Sequence, residues 1–167
     1  MPTYRRETRV PAPIADVWAF HSTIDGLRAL TPDWMHLRIE SVEGPTGEPD
    51  PGTLVRGSRI HMSMRPFGIG PRQRWVSRIV DRDPDGNDPV EGSASFVDDM
   101  LHGPFRRWRH THSFYADGDE TVLVDSVDYR LPFGPLGDAV GPLATVGFAG
   151  MFRDRHRRTV SRFDESG

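Results

Sequence analysis

Two histidines alternate in the stretch GPFRRWRHTHSF, residues 103–114. Every second residue from Trp108 gives Trp108, His110, His112 and Phe114, while Arg109, Thr111 and Ser113 fall between them. On a β-strand, one face then carries two aromatics and two imidazoles. Imidazole titrates near neutrality, so it serves as a general base, a general acid or a metal ligand. A carboxylate beside it would orient it, and Asp125 follows in the next apolar alternation, TVLVDSVDYRL. Asp98 comes just before, in phase with Phe96.

Turn chemistry relates His110 and His112 to Asp125. With Asp117-Gly118 as a two-residue hairpin loop, His110 faces Asp125 and His112 faces Leu123. With Gly118-Asp119 as the loop, His112 faces Asp125 instead. In either register Asp125, Val127, Tyr129 and Leu131 share the histidine face, provided no bulge intervenes. A buried Asp needs partners or it takes up a proton. Such a face is too polar for a simple core and too apolar for a surface, and it suits a cavity wall.

The elements that must hold this face are legible from periodicity. Residues 3–10 read as a first strand. Pro13 opens a short helix with Ile14, Val17, Trp18 and Phe20. A second short helix, capped by Ser22 or Thr23, carries Leu27 and Leu30 and stops at Pro32. Strands are expected in MHLRIESVEG, in a long TLVRGSRIHMSMR, in RQRWVSRIVDRD and in VEGSASFVDDM. The next two form the histidine hairpin. PFGPLGDAVG reads as a break. From Pro142 to about Phe163, Leu143, Val146, Gly147, Met151, Phe152 and Arg155 fit one helix face. Short loops imply an antiparallel sheet, and the long helix must lie on one face of it. The expected fold class is α+β: a curved antiparallel sheet of six to seven strands around a C-terminal helix, in one domain over 1–167.

Composition narrows the function. All 21 basic residues are arginine, and there is no cysteine. Lysine Schiff bases, lysine phosphate loops, disulfides and thiolate chemistry are therefore excluded. A net charge of −3 argues against a nucleic-acid partner. The arginine-rich RDRHRRTVSR suits a helix C-terminus, where the dipole favours cations. No apolar run reaches the ~20 residues of a membrane span. The N-terminus lacks a signal-peptide pattern, so a cytoplasmic location is expected. DRDPDGND lacks EF-hand spacing and reads as a turn. His21, His36, His61, His102 and His156 are expected at solvated positions.

The chain resembles the START-like, or SRPBCC, superfamily with its helix-grip fold. The likeness rests on Asp98, Gly103-Pro104-Phe105, Trp108, His110, His112, Phe114, Asp125, Tyr129, Leu131-Pro132-Phe133-Gly134 and Phe152-Arg153, with PAPIADVWAFHS and LTPDW upstream. It is similar to ligand-binding proteins of bacteria and archaea, some described as polyketide cyclases, some joined to a nucleotide-sugar-epimerase-like domain. The resemblance implies an internal cavity between the sheet and the long helix. Met62, Met64, Trp75, Phe96, Asp98, Trp108, Phe114, Tyr129, Leu143, Gly147 and Met151 are the expected ligand contacts. The expected partner is a small hydrophobic molecule, with no cofactor and no stable membrane insertion. An alternative is a cyclase or dehydratase in which His110 or His112, oriented by Asp125, is the acid/base and a buried Arg56 steadies an enolate. Two histidines with Asp125 or Asp98 also suit zinc or iron, but the resemblance implies no metal. A third class is a subunit-interaction module.

Overall fold

A computed structural model describes residues 2–49, 52–85, 89 and 92–164, with only the backbone of 142–144. Strand β1 (Thr3–Val10) leads into helices α1 (Ile14–His21) and α2 (Ile24–Leu30). Six strands follow: β2 (Arg38–Glu43), β3 (Arg59–Met64), β4 (Gln73–Asp83), β5 (Ser93–His102), β6 (Arg107–Asp117) and β7 (Glu120–Arg130). Helix α3 (Gly134–Asp164) closes the chain. The sheet is antiparallel, in the order β1-β7-β6-β5-β4-β3-β2. Helices α1 and α2 therefore carry the chain from one edge strand to the other. Among the described residues no helix is long and apolar enough to cross a membrane.

Local chemistry accounts for most boundaries. Thr23 caps α2, its Oγ1 accepting from the Gly26 amide at 3.0 Å. The β6–β7 loop is Gly118-Asp119, because Asp117 pairs with Glu120. Gly118 takes a positive φ of 61°, and Asp119 does not. That places glycine first in the loop, as a type II′ turn requires. The register that sets His112 opposite Asp125 follows.

Two expectations fail here. The long strand before Met64 shrinks to Arg59–Met64; a turn precedes it, with Gly57 at φ 92°. The C-terminal helix begins at Gly134, about two turns before Pro142. Its first turns are rich in Gly and Pro, poor helix formers, and tertiary contacts hold them. Arg130 grips Asp138 with two hydrogen bonds of 2.9 and 2.7 Å, and the Tyr129 hydroxyl donates to the Gly141 carbonyl at 2.7 Å. A Cβ on Gly137 would lie 2.0 Å from the Pro132 carbonyl oxygen, so only glycine permits that approach. Tyr129→Phe is expected to lower stability by about 1 kcal/mol in urea unfolding, with faster amide exchange in the first turns of α3.

Two apolar clusters form. One joins Val10, Val17, Trp18, Ile24, Phe96, Phe114 and Leu123 beneath α1 and α2. The other joins Trp108, Val127 and Tyr129 to Phe148 and Phe152 of α3. A cavity of about 480 Å³ opens beside them, and its wall draws on residues of both.

Candidate functional site

The register assembles the polar part of the cavity wall. Across β5, β6 and β7, Phe96 pairs with His112 and His112 with Asp125. In the adjacent row, Asp98 pairs with His110 and His110 with Val127. Pairing runs without a bulge from β5 to β7, so Phe96, Asp98, His110, His112 and Asp125 share the face toward α3. A bulge in β4, between Ile79 and Asp81, shifts the phase elsewhere. It turns Arg82 inward, where its guanidinium sits 4.3 Å from the Trp18 ring centroid and donates to Ser22 at 3.0 Å.

The hydrogen bonds cross the rows diagonally. His110 Nε2 donates to Asp125 Oδ1 at 2.7 Å, and His112 Nε2 donates to Asp98 Oδ2 at 3.0 Å. His112 Nδ1 is also 3.1 Å from Asp125 Oδ1, though poorly directed for a hydrogen bond. His156 of α3 donates through Nε2 to Asp125 Oδ2 at 2.5 Å. Ser77 Oγ donates to Asp98 Oδ1 at 2.9 Å. On the other side of Asp125, its register partner is Arg6 of β1. One buried carboxylate, Asp125, and one half-buried, Asp98, are thus shared by three imidazoles. The rings of His110 and His112 lie 3.6 Å apart, and His112 stacks on Phe96 at 3.9 Å.

The charge states follow. Burial opposes ionisation of Asp125, but the hydrogen bond from His110 and the further polar contacts with His112 and His156 outweigh it and hold the carboxyl well below its usual range. Asp98 is lowered in the same way: burial raises it, and His112 and His110 overcome that. For His112, burial favours the neutral form, yet Asp125 and Asp98 raise its pKa above the ordinary value. Burial, followed by the neighbouring His112 charge, lowers His110 despite Asp125. The two carboxylates thus draw His112 toward its cationic form, while burial tilts His110 toward the neutral imidazole. The His110 Nε2 proton is assigned by the bond to Asp125. Its Nδ1 keeps a lone pair, 3.8 Å from Asp98 Oδ2.

Met62, Met64, Trp75, Phe96, Asp98, Trp108, His110, His112, Gly147 and Met151 all line the cavity. Phe114 and Tyr129 do not. Phe114 is fully buried at the α1 end, 5.3 Å from the Trp18 ring and 5.0 Å from His21. Tyr129 is fully buried against Phe148 at 4.9 Å. The inward strand face is long enough to serve core at both ends and cavity between. Asp125 sits behind the two imidazoles, and the Leu143 side chain lies outside the described residues.

Other expectations are corrected. Val146 points outward, 76% exposed. Arg56 is exposed and paired with Asp81, so it steadies nothing inside. His156 is buried at the heart of the cluster, and His21 lines the cavity. His21 Nδ1 donates to the Val17 carbonyl at 2.8 Å. His61 is half-buried beside Glu43, while His36 and His102 are exposed, as expected. His156 had a sequence signal: Phe148, Phe152 and His156 recur every fourth residue, on one helix stripe. His21 had none, since its burial depends on how α1 crosses the sheet.

Ligand atoms of Asp98, His110 and His112 come within 4.8 Å of one another, a donor set of the kind that binds divalent metals. Asp125, holding the far nitrogen of His110, would then be the outer carboxylate. Arg155 on the same cavity wall weighs against a dication there.

A curved antiparallel sheet that grips a long helix over a polar-flecked apolar cavity defines a START-like, helix-grip protein. Residues 10–154 match the family of polyketide cyclase/dehydrase and lipid transport proteins, and the chain belongs to that family. Solved structures share the fold. A protein of Thermus thermophilus superposes with a TM-score of 0.69 at 17% identity, covering 99% of each chain. The Zhui aromatase/cyclase of a Streptomyces species gives 0.67 at 14% identity, covering 98% of this chain and 93% of the other. A nucleoside-diphosphate sugar epimerase of Corynebacterium glutamicum gives 0.61 at 22% identity, covering 95% of this chain and 28% of that longer one. No curated protein matches the chain in sequence.

Proposed function

We propose that residues 1–167 act as one ligand-binding domain, holding a small, largely apolar molecule of lipid, isoprenoid, aromatic or polyketide type. The observation that carries this is the cavity of about 480 Å³, within the usual range for ligand sites, whose wall is mainly apolar with a few polar groups. Met62, Met64, Trp75, Trp108, Gly147 and Met151 would contact the apolar body, and the methionines adapt to its shape. His110, His112 and Asp98 would meet its polar groups. Native mass spectrometry of protein purified from its own host tests this. The expected spectrum shows an adduct that denaturation releases as an organic molecule. Gly147→Phe fills open space, since nothing lies within 4 Å of a Cβ there, and is expected to reduce the adduct. A bare chain that also fails to take up hydrophobic probes would overturn the reading.

One observation favours a second reading, a cyclase- or dehydratase-like enzyme. His110 is tilted toward the neutral form by burial and oriented by Asp125 through Nε2, which leaves Nδ1 to accept a proton. That is the arrangement of a general base. His110→Gln should then bind product-like ligands normally while turnover falls by about 10²–10⁴; unchanged turnover removes this reading. An interaction module without a ligand has less support, because side chains do not fill the space between sheet and helix.

A further inference from the structure

One charge on the cavity wall has no close partner among the described residues. Arg155 follows Phe152 on α3 and lines the cavity. Its backbone carbonyl accepts from Thr159 Oγ1 at 2.9 Å. Among the described residues, no acceptor stands within hydrogen-bond or ion-pair distance of its guanidinium; Asp125 and Asp98 act on it only from farther away. Both of those carboxylates are committed. Asp125 accepts from His110 and His156, and Asp98 accepts from His112 and Ser77. Burial disfavours the charged guanidinium, yet arginine does not deprotonate in proteins. Arg155 is half-buried, and a partly desolvated cation without a paired anion is costly.

We propose that the ligand supplies this anion, and that it is a small amphiphile with an apolar body and a single carboxylate forked onto Arg155. The inference rests on the ligand-binding reading above and specifies the substrate class of the same site. A carboxylate matches the planar guanidinium with two parallel N–H bonds. A monoanion is favoured over a phosphate dianion for two reasons. Among the described residues Arg155 is the only arginine on the cavity wall, and the chain has no lysine. Asp98 on the same wall and Asp125 behind it would repel a second negative charge. Among the nearby imidazoles, His112 is flanked by Asp98 and Asp125, while His21 and His110 present acceptors. His21 donates its Nδ1 proton to Val17, leaving a lone pair on Nε2, and His110 keeps its own on Nδ1. These two complement a hydroxyl on such an acid and add no further anion grip.

An isosteric pair of probes tests the charge alone: 2-naphthoate and 2-naphthamide, titrated calorimetrically at pH 7.5. The wild-type protein is expected to bind the carboxylate about 10- to 100-fold more tightly than the amide. Arg155→Met is expected to bring the two affinities within threefold by weakening only the carboxylate. Arg155→Lys keeps the charge without the fork and should retain part of the preference. Arg56→Met, at the exposed arginine, should retain all of it. Equal affinities in the wild type, or a preference that survives Arg155→Met, would overturn the proposal while leaving an apolar-ligand site in place. Binding of neither probe would remove both the proposal and the reading beneath it. The wild-type ratio decides the question even if Arg155→Met does not fold.

Discussion

Asp125→Ala is expected to lower unfolding free energy by about 3–5 kcal/mol, the largest single effect in this protein. The Asp125 side chain is 4% exposed and accepts from His110 and His156 while facing His112. Removing it leaves two buried N–H donors without acceptors and leaves His112 with Asp98 alone. Each orphaned donor carries its own desolvation cost. Asp125→Asn keeps the volume and one acceptor oxygen but loses the charge, so it should recover only part of the loss. The exposed Arg130–Asp138 pair is the internal contrast: Asp138→Ala should leave the urea midpoint nearly unchanged. A loss below about 1 kcal/mol for Asp125→Ala would show that the cluster is not the anchor of β6, β7 and α3.

The same groups give stability a maximum near pH 6.5, falling on both sides. His21 governs much of the acid limb. Burial is the main cause that depresses its pKa to about 3; the Val17 carbonyl opposes this, and the His112 charge reinforces it. The folded protein holds His21 neutral, whereas the unfolded chain protonates it near 6.5. Its contribution is therefore complete above about pH 6.5 and is lost as pH falls, by about 1.4 kcal/mol per unit down to about pH 3. His110, also lowered, acts in the same direction. Asp98 and Asp125 contribute above their ordinary carboxylate range and lose that contribution only as pH falls through their depressed values. His112 has the opposite sign. Its raised pKa gives a contribution complete below 6.5 and lost as pH rises through the folded value. Urea midpoints between pH 4.5 and 8.5 would trace both limbs. His21→Leu should flatten the acid limb by about one proton's worth of slope, and an unchanged slope would assign that limb to other groups.

Arg155 and the cavity show how far local patterns reach. Sequence periodicity places Arg155 on the same helix face as Met151 and Phe152, yet nothing in that spacing says its charge lacks a partner. That depends on which carboxylates the sheet brings near it, and on whether they are already bonded. Likewise Phe114, Tyr129 and Trp108 alternate identically on the inward face. Only Trp108 meets the cavity, because α1 covers the Phe114 end and Phe148 of α3 covers Tyr129.

By itself the sequence determined the alternation that puts His110, His112 and Asp125 on one face, the two short helices, one opened by Pro13 and one capped by Thr23, and the antiparallel hairpins. These are properties of neighbours a few residues apart, governed by backbone period and turn chemistry. The choice between the two hairpin registers fell to the turn that Gly118 adopts, whereas tertiary structure alone decided the early start of α3, the burial of His21 and the width of the space between helix and sheet. Each of these last three sums contacts between residues distant in the chain, where packing and buried charge outweigh local preference.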